Sequence, residues 1–340
     1  MVETVDLSCP STDIITNIKF INPSRLITTS FDGKLSIYDT SIQTLHNSSV
    51  DSLLDTYDVD EPILSFTSLK SIGYIGTTNG CIRKIDFEQG KGGLLPFSID
   101  DHELGVQCLN THELRGLIIS GSWDKSVILH DVRDDGKSKN ILNLPPSKVY
   151  SMDTHTESDQ LVISTSDKIN YLYDFRNLSK PMTIFDSPFK YQTTKVKFLP
   201  NGKGTIQTSI EGKIALDFFQ NPSSNYAFKS HRKNIIDESN QEQMDLVNPI
   251  YDVCFLNETR FVTCGSDSSV CMWDYVTQKR VKQLKNIGDG LAVIGMDYTT
   301  CKDGVGLLAC AVSDDAFKGT KAIDEDVGCV KGKVVIKLGL

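Results

Sequence analysis

The stretch Ser30-Phe31-Asp32-Gly33-Lys34-Leu35-Ser36-Ile37-Tyr38-Asp39 decides the fold. Asp-Gly suits a tight hairpin, because glycine tolerates positive φ and the aspartate can bond its own turn backbone. Before the turn come Ile18, Phe20, the Pro23-Ser24 turn and Leu26-Ile27; after it come Leu35, Ile37 and the closing pair Tyr38-Asp39. Short apolar runs bounded by turn residues indicate strands packed on both faces. The phrase returns at Thr78-Asn79-Gly80, Ser122-Trp123-Asp124-Lys125, Ser166-Asp167-Lys168, Ile210-Glu211-Gly212, Ser266-Asp267-Ser268 and Ser313-Asp314-Asp315. Most copies are spaced by about 45 residues, the period of a four-stranded propeller blade. A second acid often closes the next strand at a fixed offset. Asp39, Asp86, Asp131, Asp174 and Asp274 obey it, whereas the fifth copy has Phe218 there and Asp217 one residue early.

A lone sheet with two apolar faces cannot bury both, so the copies must stack around an axis. The sequence therefore predicts an all-β, seven-bladed β-propeller that occupies residues 1–340 as a single domain. The ends of the chain supply the closure. Lys333–Leu338 is expected as an inner strand of blade seven, and Val2–Leu7 as that blade's outer edge, which removes a free sheet edge. Two polar insertions interrupt the repeat. One, 233–248, lengthens blade five, and the other, 318–333, lies in blade seven. Such irregularities are where binding residues gather, although a tolerated surface loop accounts for most of their length.

Composition narrows the function classes. The net charge of −9 disfavours general nucleic-acid binding while allowing a local basic pocket. No apolar run reaches the roughly 18 residues of a membrane helix, and the N-terminus lacks the basic and apolar regions of a secretory signal. The nine cysteines form no CxxC pair. Cys108, Cys254 and Cys271 fall inside predicted strands, so they read as reduced core thiols of a nuclear or cytoplasmic protein. Gly202-Lys203-Gly204-Thr205 lacks the leading glycine of a phosphate-binding loop, and no nucleophile elbow, HExxH or EF-hand loop is present. His130, inside a strand, reads as structural. Neither catalysis nor a metal or cofactor is expected; binding is.

One charge pattern stands apart. Lys213 follows the Glu211-Gly212 turn, and across the Asn221–Asn225 hairpin lies Tyr226-Ala227-Phe228-Lys229-Ser230-His231-Arg232-Lys233. If these strands pair, Lys213 and Lys229 project together, and two converging ammonium groups can hold a phosphate dianion. From charge spacing alone the simpler reading is better: cations solvated along a protected strand edge.

Trp273-Asp274, with the relaxed versions Tyr38-Asp39 and Tyr173-Asp174, resembles the closing dipeptide of WD repeats. The Gly-His that usually precedes each blade is missing, with Asp101-His102 the nearest candidate. The string Ser209-Ile210-Glu211-Gly212-Lys213-Ile214-Ala215-Leu216-Asp217-Phe218-Phe219, followed by Tyr226 to Arg232, resembles a signature of the spindle-assembly-checkpoint Bub propeller family and its sister, the messenger-RNA export propeller of the nuclear pore. Lys190-Tyr191-Gln192-Thr193 and Ser122-Trp123-Asp124 match the same family.

The resemblance implies a non-catalytic adaptor that binds GLEBS segments of Bub and Mad checkpoint kinases. It also implies reading of phosphothreonine in MELT repeats of the kinetochore scaffold, hence a nuclear and kinetochore location, with the cytoplasm open. Lys213 and Lys229 match the phosphate-holding residues, as point charges rather than a bidentate arginine fork. Phe31 and Trp123 match aromatics of the GLEBS-binding face, although burial between blades explains either equally well. Thr194 stands where the family has Arg. Lys195 is adjacent, but neighbours on a strand are expected to point to opposite faces. The sister reading implies binding a pore protein's GLEBS segment during export; the first blade's start almost at Met1 favours the checkpoint branch.

Overall fold

The computed structural model describes residues 3–47, 51–88, 94–98, 102–134, 139–143, 147–236, 243–314 and 332–339. Among them, the apolar runs and tight turns form seven four-stranded sheets and one two-stranded sheet. From axis to rim, blade one comprises Ile15–Asn22, Arg25–Ser30, Lys34–Asp39 and Leu53–Asp58. Blade two comprises Ile63–Leu69, Ile72–Thr77, Ile82–Asp86 and Leu94–Ser98; blade three, Val106–His112, Leu117–Ser122, Ser126–Asp131 and Lys139–Asn143. Blade four has Val149–His155, Gln160–Thr165, Ile169–Asp174 and Thr183–Asp186; blade five, Thr193–Phe198, Gly204–Ser209, Lys213–Phe218 and Tyr226–Lys229. Blade six has Ile250–Phe255, Arg260–Gly265, Val270–Asp274 and Lys279–Leu284. Blade seven runs Ala292–Thr300, Gly306–Ser313, Lys333–Leu338 and then Glu3–Leu7. The inner strands touch in cyclic order, and that of blade seven lies against that of blade one. The chain is a closed seven-bladed propeller.

Closure uses both ends of the chain. Glu3–Leu7 is the outer edge of blade seven, as expected. Lys333–Leu338 stands third from the axis rather than inside, because Ala292–Thr300 and Gly306–Ser313 fill the two inner places. Leu7 is buried with Ile15 and Leu26 of blade one and with Val334 and Ile336. Lys333 Nζ lies 2.7 Å from Asp6 Oδ2, and Lys337 Nζ donates to Thr4 Oγ1 at 2.6 Å. The second insertion lies outside the described residues as far as position 331.

A feature that no sequence pattern announced repeats in every blade. Each inner strand shifts register near its start: at Ile15/Asn17, Ile63/Ser65, Val106/Cys108, Val149/Ser151, Thr193/Lys195, Ile250/Asp252 and Val293/Gly295. Such a bulge sets two residues against one and breaks the strict alternation of side chains.

Each joint between neighbouring blades is also bridged by a hydrogen bond. Asn17 Nδ2 donates to Leu64 O (2.9 Å), Ser65 Oγ to Val106 O (2.7 Å), Asn110 Nδ2 to Met152 O (2.9 Å) and Thr194 Oγ1 to Ile250 O (2.6 Å). At the other three joints, the Val196, Met296 and Phe20 amides donate to Ser151 Oγ (3.1 Å), Asp252 Oδ2 (3.0 Å) and Asp297 Oδ2 (2.7 Å). Each such bond is worth about 0.5–1.5 kcal/mol net. The larger contribution is apolar, since each fully buried Ile or Leu between blades adds about 1.5–3 kcal/mol.

The repeated acids have distinct tasks. Each closing acid accepts a backbone amide two residues on: Asp39 from Ser41 (2.8 Å), Asp86 from Glu88 (2.9 Å), Asp131 from Arg133 (2.9 Å), Asp174 from Arg176 (2.8 Å) and Asp274 from Val276 (3.1 Å). Asp217, shifted by one residue, does something else. It accepts Gln207 Nε2 at 2.7 Å and Asn225 Nδ2 at 3.1 Å, while Asn170 of blade four donates to Gln207 Oε1 at 3.1 Å. Burial pushes the Asp217 carboxyl up against the lowering effect of the Gln207 bond.

The first insertion corrects its expectation. It does not lengthen blade five but folds on itself as a hairpin, Arg232–Ile236 paired with Gln243–Val247, between blades five and six. Blade five's outer strand ends at Lys229, and Ser230 and His231 divert the chain.

Candidate functional site

The deviant fifth copy builds a charged cluster on the rim. Lys213 and Lys229 stand directly opposite in the antiparallel register of the third and outer strands of blade five, the juxtaposition the sequence anticipated. Like charges opposite one another disfavour the pairing, so the pair needs compensation. It comes from two carboxylates, one for each lysine. Lys213 Nζ lies 3.0 Å from Glu211 Oε2, and Lys229 Nζ lies 3.8 Å from Asp245 Oδ2 on the hairpin. A third cation joins them: Arg232 Nη1 is 3.6 Å from the same Asp245 oxygen, and its Nη2 donates to Glu211 O at 2.9 Å. Lys229 is the most open of the cations, its side chain 65% exposed.

Glu211 keeps the post of the turn acids it replaces. In blades one and three, Asp32 and Asp124 accept the amides of Thr12 (2.8 Å) and Glu103 (3.0 Å) from the preceding connection. Glu211 accepts the Lys190 amide at 2.9 Å in the same way. Its longer side chain leaves the second oxygen for Lys213. Gly212 sets the distance between the strands. It has φ of 61°, and a Cβ there would stand 2.8 Å from Ser230 O and 3.1 Å from Asn248 O. Only glycine combines that conformation with that proximity.

Sequence reading missed His231. Lying between Lys229 and Arg232, it has φ of 51° and is buried. Its Nδ1 lies 2.8 Å from Asp267 Oδ1 and its Nε2 3.0 Å from Thr263 Oγ1, which also accepts Trp273 Nε1–H at 3.2 Å. Blade three repeats this network. His102 Nδ1 lies 2.9 Å from Asp124 Oδ2 and its Nε2 2.8 Å from Ser120 Oγ, with His130 Nε2 2.9 Å from that hydroxyl. His102 thus fills the place proposed for it, and His130 is structural as expected. Both networks have the connectivity of a Ser-His-Asp relay, but Ser120 and Thr263 are fully buried, and the relay tethers the incoming connection to the blade. Burial pushes the His102 imidazole down, against the Asp124 charge. At Asp267, bonds from His231 and Ser269 outweigh burial and hold the carboxyl below its ordinary value. The signal was hidden by spacing: 36 residues separate His231 from Asp267, against 22 for His102 and Asp124, because the hairpin intervenes.

Of the residues matched to a peptide-binding face, Phe31 and Trp123 occupy equivalent turns between the second and third strands of blades one and three. The Phe31 amide donates to Ile14 O at 2.9 Å and the Trp123 amide to Gly105 O at 3.2 Å, and Ile210 in blade five repeats the bond with Gln192 O at 3.3 Å. Both aromatics are half-buried, and Trp123 lies over Gly105. Expected alternation fails at Thr194-Lys195 because of the bulge. The Thr194 hydroxyl donates to Ile250 O of blade six and lies 2.8 Å from Thr208 Oγ1 of its own blade. Lys195 lines the axial channel with Asn17, Cys108, Ser151 and Asp252. Phe31 and Trp123 thus belong to blades one and three, while Lys195 stands on the inner strand of blade five and the lysine pair on that blade's third and outer strands. Among the described residues, no group of three or more His, Cys, Asp or Glu side chains is placed to hold a metal ion.

Comparison with known proteins agrees with this geometry. The family model "WD domain, G-beta repeat" matches residues 93–131 and 245–274, which contain the turn acids of the two histidine-tethered blades. The chain is 32% identical over 270 residues to "Mitotic checkpoint protein bub-3" of Caenorhabditis elegans, covering 77% of this chain and 74% of that protein. It is 32% identical over 329 residues to "Mitotic checkpoint protein BUB3.1" of Arabidopsis thaliana, covering 93% and 89%. Against "Spindle assembly checkpoint protein bub3" of Schizosaccharomyces pombe it is 32% identical over 294 residues, covering 81% and 82%. The phased turn acids, the blade-five string and these relatives lead to one assignment: the chain belongs to the Bub3 family of mitotic checkpoint WD-repeat propellers.

Proposed function

We propose that this protein is a non-catalytic checkpoint adaptor with two recognition surfaces. On blade five, Lys213 and Lys229 capture the phosphate of phosphothreonine in MELT-type repeats of the kinetochore scaffold. On the rim carrying Phe31 and Trp123, with Lys195 at the mouth of the axial channel, it holds GLEBS segments of Bub and Mad checkpoint kinases. Together these surfaces recruit the kinases to unattached kinetochores in the nucleus.

The observation that carries the phosphate reading is the exact opposition of Lys213 and Lys229 in register, in a chain whose net charge is −9. Two facing ammonium groups are a liability for the sheet and an asset for a dianion. Large aromatics on a rim supply the anchors that peptide interfaces use. With the bulge turning Thr194 into the blade joint, Lys195 is the cation available to an acidic contact of the GLEBS segment.

The test is binding of a Met-Glu-Leu-phosphothreonine peptide and its unphosphorylated twin to the wild type, Lys213→Glu and Lys229→Glu. Each substitution should abolish phosphopeptide binding while circular dichroism stays unchanged. Equal affinity of the wild type for both peptides would sink the assignment. For the second surface, Trp123→Ala should lose a GLEBS peptide and keep the phosphopeptide.

A further inference from the structure

We propose that Asp245 is an internal placeholder for the phosphate, an acid of the inserted hairpin that occupies the cation cluster until a phosphorylated segment displaces it. The inference rests on the phosphate reading of Lys213 and Lys229. Asp245 sits on the returning strand of the hairpin, opposite Asn234 in register and on the diagonal from Arg232. One of its carboxylate oxygens lies between two cations, 3.8 Å from Lys229 Nζ and 3.6 Å from Arg232 Nη1.

The two acids of the cluster are held differently. Glu211 is 10% exposed and fixed by the Lys190 amide at 2.9 Å and by Lys213 Nζ at 3.0 Å. It is part of the turn. Asp245 is 40% exposed, and both of its cation contacts are longer than hydrogen bonds. An exposed pair of this kind is worth little and exchanges readily for a better anion. A phosphate dianion offers twice the charge and three acceptor oxygens. Arg232 is anchored independently through Glu211 O at 2.9 Å, so it stays in place when the carboxylate leaves.

The arrangement favours doubly charged ligands. A glutamate or an unphosphorylated threonine gains nothing over the carboxylate already present, whereas phosphate does. Asp245 therefore sets a threshold that a weak anion does not pass, at a cost in affinity.

The experiment titrates the phosphothreonine peptide, its glutamate-substituted twin and its unphosphorylated twin into the wild type, Asp245→Asn and Glu258→Gln. Glu258→Gln removes the same charge from an exposed residue of blade six away from the cluster. Asp245→Asn should tighten the phosphopeptide about twofold to fivefold, tighten the glutamate peptide by no more than that, and leave the unphosphorylated one unchanged. Unchanged or weaker phosphopeptide binding by Asp245→Asn would overturn the inference, as would an equal gain in Glu258→Gln. The parent reading fails by a different result, equal wild-type affinity for the phosphorylated and unphosphorylated peptides. Thermal unfolding of each variant confirms that the ring is intact.

Discussion

The His231 imidazole reaches the Asp267 carboxylate at 2.8 Å, while the chain on either side of it carries Lys229 and Arg232. The side chain that ties blade six to its incoming connection thus also fixes two cations of the blade-five cluster. His231→Ala leaves Asp267 and Thr263 without this partner, and should cost about 1–3 kcal/mol of stability. It should also weaken phosphopeptide binding several-fold. His102→Ala removes the matching tether in blade three and should cost a similar amount of stability with no effect on the phosphopeptide. Chemical unfolding and calorimetric titration of both variants decide the matter; equal loss of binding in both would mean that His231 acts only through global stability.

Lysine captures phosphate as a point charge, and arginine does so through a planar fork. Lys229 is the more open of the facing pair, with room for the longer head group. Lys229→Arg should therefore tighten the phosphothreonine peptide a few-fold and widen its margin over a glutamate mimic, whose carboxylate offers fewer oxygens. Fluorescence anisotropy with the two labelled peptides measures the margin. A tighter fit to both by the same factor would point to charge alone.

The parts of this molecule legible in the sequence were those that repeat with a fixed period. Turn acids such as Asp32 and Asp124 and closing acids such as Asp39 and Asp174 bond backbone amides a few residues away or in the adjacent connection, so their spacing carries their role. Lys213 and Lys229 were legible because a short hairpin fixes their register. What was hidden depends on partners far apart along the chain. Asp245 meets Lys229 and Arg232 only because the insertion folds back as a hairpin. The bulges recur at the inner strands without a mark in the residue pattern, and they left the direction of Lys195 unreadable.

Buried histidines give the ring an acid limit. Burial, reinforced by the neighbouring His102, pushes the His130 imidazole down to about 3, and burial lowers His102 as well. In the unfolded chain both take up protons near their ordinary value of about 6.5. A histidine whose folded pKa is depressed contributes stability that is present above the unfolded value and lost as pH falls below it. Each should steepen the decline by up to about 1.4 kcal/mol per pH unit. His130 occupies the strand position that Trp273 occupies in blade six, each one residue before its closing acid. His130→Phe should therefore fold and show a flatter decline between pH 6 and 4 in urea titrations. An unaltered slope would assign the acid sensitivity to other groups.

Ring closure makes the first strand a test of the whole architecture. Removing residues 1–7 strips Glu3–Leu7 from blade seven, leaves Lys333–Leu338 as a bare edge and uncovers Val334 and Ile336 beside blade one. The truncated chain loses the Asp6–Lys333 pair, a ladder of strand hydrogen bonds and the buried Leu7. Leu7→Ala alone should cost about 2–5 kcal/mol, the usual range for a buried leucine. The full truncation should cost more and promote self-association through the new edge. Because each blade is joined to the next, the loss should appear as one cooperative transition at lower denaturant concentration. Size-exclusion chromatography with denaturant unfolding reads both effects. A truncated ring that is monomeric and unfolds at the wild-type midpoint would show that blade seven closes without its outer strand.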